Sequence, residues 1–107
     1  MPEFTVDTAS DAEGRHVVTP RGELDVATHR HLRESIHELV LAGKVHIVVD
    51  LNHTTFLDST ALGTLISARR RTHALKGSFA IRCDDERLLQ VFRVTSLDRV
   101  FTIIRSA

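Results

Sequence analysis

Three adjacent residues have the types and spacing that could do chemistry: Asp58, Ser59 and Thr60, at the start of a predicted helix. An Asp or Ser there accepts a hydrogen bond from an unpaired backbone N–H, which is an ordinary capping role. In an alternative interpretation, Ser59 is a phosphorylation site. Backbone N–H groups and the helix dipole would favour the anionic phosphate at this position. A phosphate would add about −1.5 to −2 charges without unfolding the helix. The residues alone leave both interpretations open.

A third interpretation makes Ser59 a catalytic nucleophile, which requires a base within hydrogen-bond reach. Asp58 is its neighbour at a helix start and does not face it. No Gly-x-Ser-x-Gly elbow surrounds Ser59. Only a spatial approach of His29 or His53 would supply the base, so a serine hydrolase is a remote alternative.

The histidines and the single cysteine do not predict a metal site. No two histidines are spaced i, i+4, and His29 and His31 point to different sides of a helix. One cysteine, Cys83, excludes an internal disulfide and a Cys-rich zinc site, and we expect it to pack in the interior. We expect neither a metal nor a cofactor.

Composition and charge exclude several classes of partner. The chain has 107 residues, which predicts one domain over residues 1–107, and its 14 Lys+Arg balance 14 Asp+Glu. Zero net charge argues against direct nucleic-acid binding, and five Phe without Tyr or Trp make no stacking platform. The start of the chain is unlike a signal peptide, and no apolar stretch is long enough for a bilayer. We therefore expect a cytoplasmic protein that does not bind membranes.

The first half of the chain changes its hydrophobic period once. Residues 4–8 alternate as a half-buried strand, residues 11–14 supply a turn, and residues 16–19 predict a second strand of an antiparallel hairpin. Leu32, Ile36, Leu39 and Val40 then fall on one helix face, and Gly43 is placed to end that helix in a left-handed cap.

The second half predicts alternating strands and helices. Residues 45–51 are typical of a central strand covered on both faces, followed by a loop over residues 52–55. A second helix opens over residues 56–60, and a strand follows at 79–81. A third helix starts at 84–86 with a stripe of Leu88, Val91 and Phe92, and residues 100–104 make the last strand. The predicted order β-β-α-β-α-β-α-β indicates an α/β fold: a mixed sheet with an N-terminal hairpin and repeated β-α units.

Two motifs at predicted helix starts carry a resemblance to a known family. The sequence Gly-Glu-Leu-Asp at 22–25 precedes the first helix, and Phe-Leu-Asp-Ser-Thr-Ala-Leu-Gly at 56–63 opens the second. Together they resemble the STAS domain, and more narrowly the bacterial anti-sigma factor antagonists. The resemblance covers nearly the whole chain and includes residues 96–101 after the third helix.

The resemblance implies a binding module that is not an enzyme. In that family an anti-sigma factor that is also a serine kinase phosphorylates the serine after the motif aspartate, here Ser59. The unphosphorylated antagonist binds the anti-sigma factor and frees the sigma factor, and a serine phosphatase reverses the modification. The implied partner-binding residues are Asp25, Asp58, Thr60, Ala61 and Leu62.

One position departs from the family pattern, which usually has glycine where this chain has Ala61. Its methyl group is expected beside the acceptor serine, where it would reshape kinase docking. An alternative function is therefore a STAS scaffold without phosphorylation, as a subunit of a signalling or lipid-transport assembly. Thr60 carries a second hydroxyl but is less favoured than Ser59 as the phosphate acceptor. The sequence also leaves open whether the chain forms a weak homodimer.

Overall fold

A computed structural model describes residues 3–106. Within them the chain forms six β-strands, three α-helices and one short 3₁₀ helix. In chain order these are β1 (Thr5–Ser10), β2 (His16–Leu24), α1 (His29–Leu41), β3 (His46–Asp50), β4 (Thr54–Leu57), α2 (Ser59–Ala74), β5 (Ser78–Arg82), α3 (Glu86–Val94), the 3₁₀ helix Leu97–Arg99 and β6 (Thr102–Ile104). None of the helices in this span is long and apolar enough to cross a membrane.

The sheet is mixed, as predicted. Its order is β1-β2-β3-β5-β6, with β1 antiparallel to β2 and the other pairs parallel. The predicted hairpin between β1 and β2 is confirmed, and its turn is closed by the Asp11 carboxylate, which accepts the backbone N–H groups of Glu13 and Arg15. The fold is therefore a single α/β domain.

Strand β3 lies at the centre of the sheet. Ile47 and Val49 join the main hydrophobic core, and Val48, which points to the opposite face, is also fully buried. Burial of consecutive residues shows that both faces are covered, as the apolar run predicts.

The helices place apolar stripes on this core. Leu32 and Ile36 of α1 are buried, and α1 ends with Gly43 at φ +78° while the Lys44 N–H donates to the Leu39 carbonyl. This is the predicted left-handed cap. On α3 the buried side chains are Leu88, Leu89 and Phe92, so Leu89 belongs to the stripe while the predicted Val91 is only half-buried.

The predicted loop at 52–55 and the predicted helix opening at 56 are wrong, because residues Thr54–Leu57 form β4. This strand pairs with the second half of β2, which bends at Gly22, where φ is +114° and the register shifts. The first half of β2 pairs with β3 instead. A four-residue strand is too short to show a hydrophobic period, and its partner lies about thirty residues away in the sequence. No local pattern therefore predicts it.

The last predicted strand is also shorter than expected. Residues Leu97–Arg99 form the 3₁₀ helix, which begins after Ser96 in the left-handed region at φ +60°, and β6 covers only Thr102–Ile104. Phe101 is buried and packs on the rings of Phe79 and Phe92, with centroids 6.0 and 5.8 Å away.

Candidate functional site

Strand β4 brings the two sequence motifs together. It runs parallel to β2 with Leu57 opposite Leu24, so both strands end at the same edge of the sheet. Asp25 follows β2 and Asp58 follows β4, and the Asp58 N–H donates to the Leu24 carbonyl at 3.4 Å. Asp25 therefore begins the loop that leads to α1, and Asp58 begins α2 beside it at the same edge.

The Asp58 carboxylate links the start of α2 to this loop. One oxygen, Oδ1, accepts the Ala61 N–H at 2.9 Å and caps α2, as the capping interpretation predicts. The other oxygen, Oδ2, accepts the Val26 N–H at 3.1 Å from the loop between β2 and α1. Asp58 thus fixes the start of α2 relative to the preceding motif.

Asp25 holds its own loop in shape. Its Oδ1 accepts the N–H groups of Ala27 and Thr28 at 2.9 and 3.1 Å. The Thr28 hydroxyl accepts the Asp25 N–H and donates to the Glu23 carbonyl at 2.6 Å. Both Asp58 oxygens and one Asp25 oxygen therefore accept backbone N–H groups, and this edge is preorganised.

Ser59 is the exposed residue at the centre of this edge. It is the first residue of α2, and within residues 3–106 its hydroxyl and the N–H groups of Ser59 and Thr60 have no hydrogen-bond partner. Free N–H groups at a helix start attract anions, because the helix dipole is positive there. The position combines an accessible hydroxyl with an environment suited to a phosphate.

The arrangement required of a serine hydrolase is not assembled. Across the part of the chain that the structure describes, no histidine nitrogen lies within hydrogen-bond distance of the Ser59 hydroxyl. His29 Nδ1 instead contacts the Thr64 hydroxyl at 3.1 Å. His53 lies in the loop before β4 and is exposed.

Ala61 and Leu62 do not offer their side chains to a partner, contrary to the expectation. Ala61 is 0% exposed and Leu62 is 7% exposed, and both belong to the hydrophobic core. The Ala61 methyl group therefore points away from the surface that carries Ser59. Asp25, Asp58 and Thr60 are half-buried and keep part of their surface accessible.

Two apolar residues at this edge were missed in the sequence. Val26 is 69% exposed in the loop held by Asp58, and Phe56 is 50% exposed on β4. Large exposed apolar side chains beside a preorganised polar site are typical of protein interfaces. Their signal in the sequence was an apolar residue one position after Asp25 and another two positions before Asp58, which periodicity assigns to the core.

A groove of about 490 Å³ opens on one side of the site. Residues from the start of the chain, β2, the loop after it and β4 line it: Phe4, Gly22, Glu23, Asp25, Ala27, Thr28 and Thr55. Gly22 suits this wall because its φ of +114° is one that residues with side chains rarely adopt, and the Phe4 ring packs beside it. The groove gives a partner segment access to Asp25.

The other residues considered for chemistry, such as Cys83 and His46, contribute to the structure of the fold. Within residues 3–106 no group of three or more His, Cys, Asp or Glu could hold a metal ion. Cys83 is fully buried, as predicted, and burial raises the pKa of its thiol, with the nearby Asp84 and Asp85 carboxylates adding to the effect. The His46 ring contacts the Ser78 hydroxyl at 2.9 Å across two paired strands.

Comparisons with known proteins agree with the fold and indicate the family. The sequence profile of the family described as "STAS domain" matches residues 7–107. An anti-sigma-B factor antagonist of Listeria monocytogenes is 23% identical over 82 residues, which are 77% of this chain and 72% of that protein.

Solved structures give the same result. The crystal structure of an anti-sigma factor antagonist from Mycobacterium paratuberculosis is 25% identical, covers 94% of this chain and 85% of its own, and superposes with a TM-score of 0.80. Phosphorylated SpoIIAA, a Bacillus cell fate determinant, is 18% identical, covers 96% and 92% of the two chains, and has a TM-score of 0.74. At that identity the second likeness concerns the fold alone.

Proposed function

The chain belongs to the STAS domain family, and from this premise we propose that it is an anti-sigma factor antagonist switched off by phosphorylation of Ser59. The anti-sigma factor antagonists of this family are non-enzymatic regulators that act with anti-sigma factors. The proposed partner is an anti-sigma factor with serine kinase activity, and binding to it would release a sigma factor.

The observation that carries the proposal is the position of Ser59. It is exposed on the first turn of α2, beside backbone donors without partners in the described residues, and Asp58 fixes this turn against the neighbouring loop. A kinase can reach the hydroxyl without unfolding the domain. The helix start then stabilises the phosphate in the free protein.

The unmodified surface suits a protein partner. Val26 and Phe56 supply exposed apolar area, and Asp25, Asp58 and Thr60 supply polar groups at its centre. An apolar patch with a polar site that is already ordered costs little conformational entropy on binding. Val26 and Phe56 therefore replace Ala61 and Leu62 as the proposed apolar contacts.

Phosphorylation would change the charge of this surface while the fold stays intact. The phosphate would lie close in sequence and space to Asp58, and within residues 3–106 no Lys or Arg pairs with the Asp25 or Asp58 carboxylate. Added negative charge beside uncompensated carboxylates opposes an acidic or apolar partner surface. A serine phosphatase would restore binding by removing it.

The test is incubation with the cognate anti-sigma factor and ATP, followed by intact mass and peptide sequencing. We expect a gain of one phosphate in the wild type and in Thr60→Ala, and none in Ser59→Ala. A wild-type chain that binds the anti-sigma factor but gains no mass would contradict the switch and favour the unphosphorylated scaffold. Ser59→Ala also tests the hydrolase alternative, which requires an esterase activity that this variant loses.

A further inference from the structure

A second charged surface lies in the groove between α1 and α2. Arg33 of α1 and Arg71 of α2 line it from opposite sides, and the hydroxyls of Thr64 and Ser67 lie along the α2 side. Buried Ile36 and Ala68 close its floor. The Arg71 guanidinium reaches across and donates to His37 Nδ1 at 2.8 Å, so the two helices present their cations to one groove.

These arginines differ from most others in the chain. Six arginines pair with a carboxylate within 4.0 Å: Arg15, Arg21, Arg82, Arg87, Arg93 and Arg105. Within residues 3–106, neither Arg33 nor Arg71 does, and Arg30 and Arg70 beside them also lack such a partner. A neutral protein thus collects uncompensated positive charge on one helix pair.

We propose that the α1–α2 groove, lined by Arg33 and Arg71, binds an acidic segment of a partner protein. The guanidinium group is planar and presents paired N–H donors that match the two oxygens of a carboxylate. Two such groups on facing helices would hold two acidic side chains of one segment, with the Ser67 hydroxyl as a further hydrogen-bonding group. This surface is distinct from the Ser59 edge, and the proposal does not require phosphorylation.

The shape and lining of the groove favour a peptide over other anions. Its two cavities measure about 120 and 260 Å³, which is below the roughly 300–1,000 Å³ of sites for drug-sized ligands. No aromatic side chain other than the His37 ring lines them, and Glu34 stands at the rim. A nucleic-acid strand would lack a stacking platform in this groove.

The test uses a fluorescein-labelled helical peptide with glutamates one turn apart, and its matched version with glutamines. Anisotropy measures affinity, and NMR follows the arginine Nε–Hε resonances of the full chain. We expect saturable binding of the glutamate peptide alone, with the Arg33 and Arg71 resonances shifting. Arg33→Gln and Arg71→Gln should each weaken binding about tenfold, the loss of one charge-assisted pair.

Arg99→Gln is the matched control, because Arg99 is an exposed arginine without a carboxylate partner in residues 3–106 and lies in the 3₁₀ helix, which packs on α3 and β6. Equal weakening in Arg99→Gln, or no saturable binding, would overturn the proposal. So would tighter binding of single-stranded oligothymidylate through the same two arginines. Ser59→Asp should leave this affinity unchanged, which separates the groove from the Ser59 switch.

Discussion

Two helix starts in this domain have an aspartate cap, since the Asp58 and Asp85 carboxylates each accept a backbone N–H group, but they differ in whether a cation pairs with the carboxylates. At α2 the Asp58 carboxylate accepts backbone N–H groups, as does that of Asp25 in the neighbouring loop before α1, and no Lys or Arg among residues 3–106 pairs with either. At α3, Asp85 pairs with Arg87, and Glu86 pairs with both Arg93 and Arg105.

The difference indicates which helix start can act as a switch. At α3 the carboxylates already pair with arginines. Their negative charge is therefore compensated, and this helix start has a structural role. At α2 the carboxylates are ordered but not neutralised by cations, and an exposed hydroxyl stands beside them. A new phosphate there changes the field felt by a partner, because it adds to carboxylates with which no Lys or Arg of the described residues pairs.

The largest expected effect comes from breaking the link at α2. Asp58→Ala removes the cap of α2 and the bond to Val26 together, and should lower the free energy of unfolding by about 2 kcal/mol, at the upper end for a lost cap. Urea denaturation measures it. Asp58→Asn is the control, since it keeps an oxygen for Ala61 and loses only the acceptor for Val26. The special role of Asp58 would be contradicted if Asp58→Ala lowered the free energy of unfolding no more than Asp85→Ala does.

The next effect concerns charge at the same helix start. Ser59→Asp should weaken binding to the anti-sigma factor by about tenfold or more, while Ser59→Ala keeps it. Both variants should melt near the wild type, because Ser59 is exposed and acidic residues are tolerated at a helix N-terminus. Calorimetric titration measures the affinities, and equal affinity of the two variants would favour a scaffold without a switch.

A smaller effect is expected from the exposed apolar residues beside the site. Phe56→Ser should weaken anti-sigma factor binding by roughly 1 kcal/mol, which is about fivefold, since aromatic residues often anchor interfaces. Val94→Ser is the control, because Val94 is an apolar residue 73% exposed at the end of α3, outside both motifs. Loss of binding in the control, or no loss in Phe56→Ser, would move the interface elsewhere.

The smallest effect is the response of the α3 start to acid. Hydrogen bonds from Arg105 and Arg93 lower the pKa of Glu86, and those from Arg87 lower the pKa of Asp85. The folded state binds fewer protons than the unfolded chain, so this stabilisation is present above the ordinary values of 4.5 and 3.8 and is lost as the pH falls below them.

The double variant Arg93→Gln/Arg105→Gln should therefore lose less stability than the wild type between neutral pH and acid. Urea denaturation at several pH values checks this difference. An identical pH dependence in the two proteins would show that these arginines do not stabilise the ionised form of Glu86.

Much of the fold followed from local patterns in the sequence. The apolar run around β3, the single-face spacing of Leu32 and Ile36, and Gly43 after α1 each encode their structure within a few residues. Strand β4 could not be found this way, because a four-residue strand is defined by its pairing with β2. That same pairing positions Asp25 and Asp58, so the geometry of the site was the least predictable part.

The sequence predicted the residue types of the candidate site, but it did not predict which apolar side chains are exposed beside Ser59. The Asp58 cap and the accessibility of Ser59 follow from their place at a helix start. The motif alone does not say that Val26 and Phe56 face outward, since that depends on how β4 and the loop before α1 pack. The hydrogen bond from the Val26 N–H to the Asp58 carboxylate joins residues 32 positions apart, and no local spacing pattern predicts it.

The most direct test of the central proposal is the affinity of the anti-sigma factor for the chain with phosphoserine at position 59, compared with the unmodified chain. Incorporating phosphoserine during synthesis separates binding from the kinase reaction. We predict that the unmodified chain binds and that the phosphorylated chain binds at least about tenfold more weakly, with both chains folded by circular dichroism. Equal affinity of two folded chains would contradict the account.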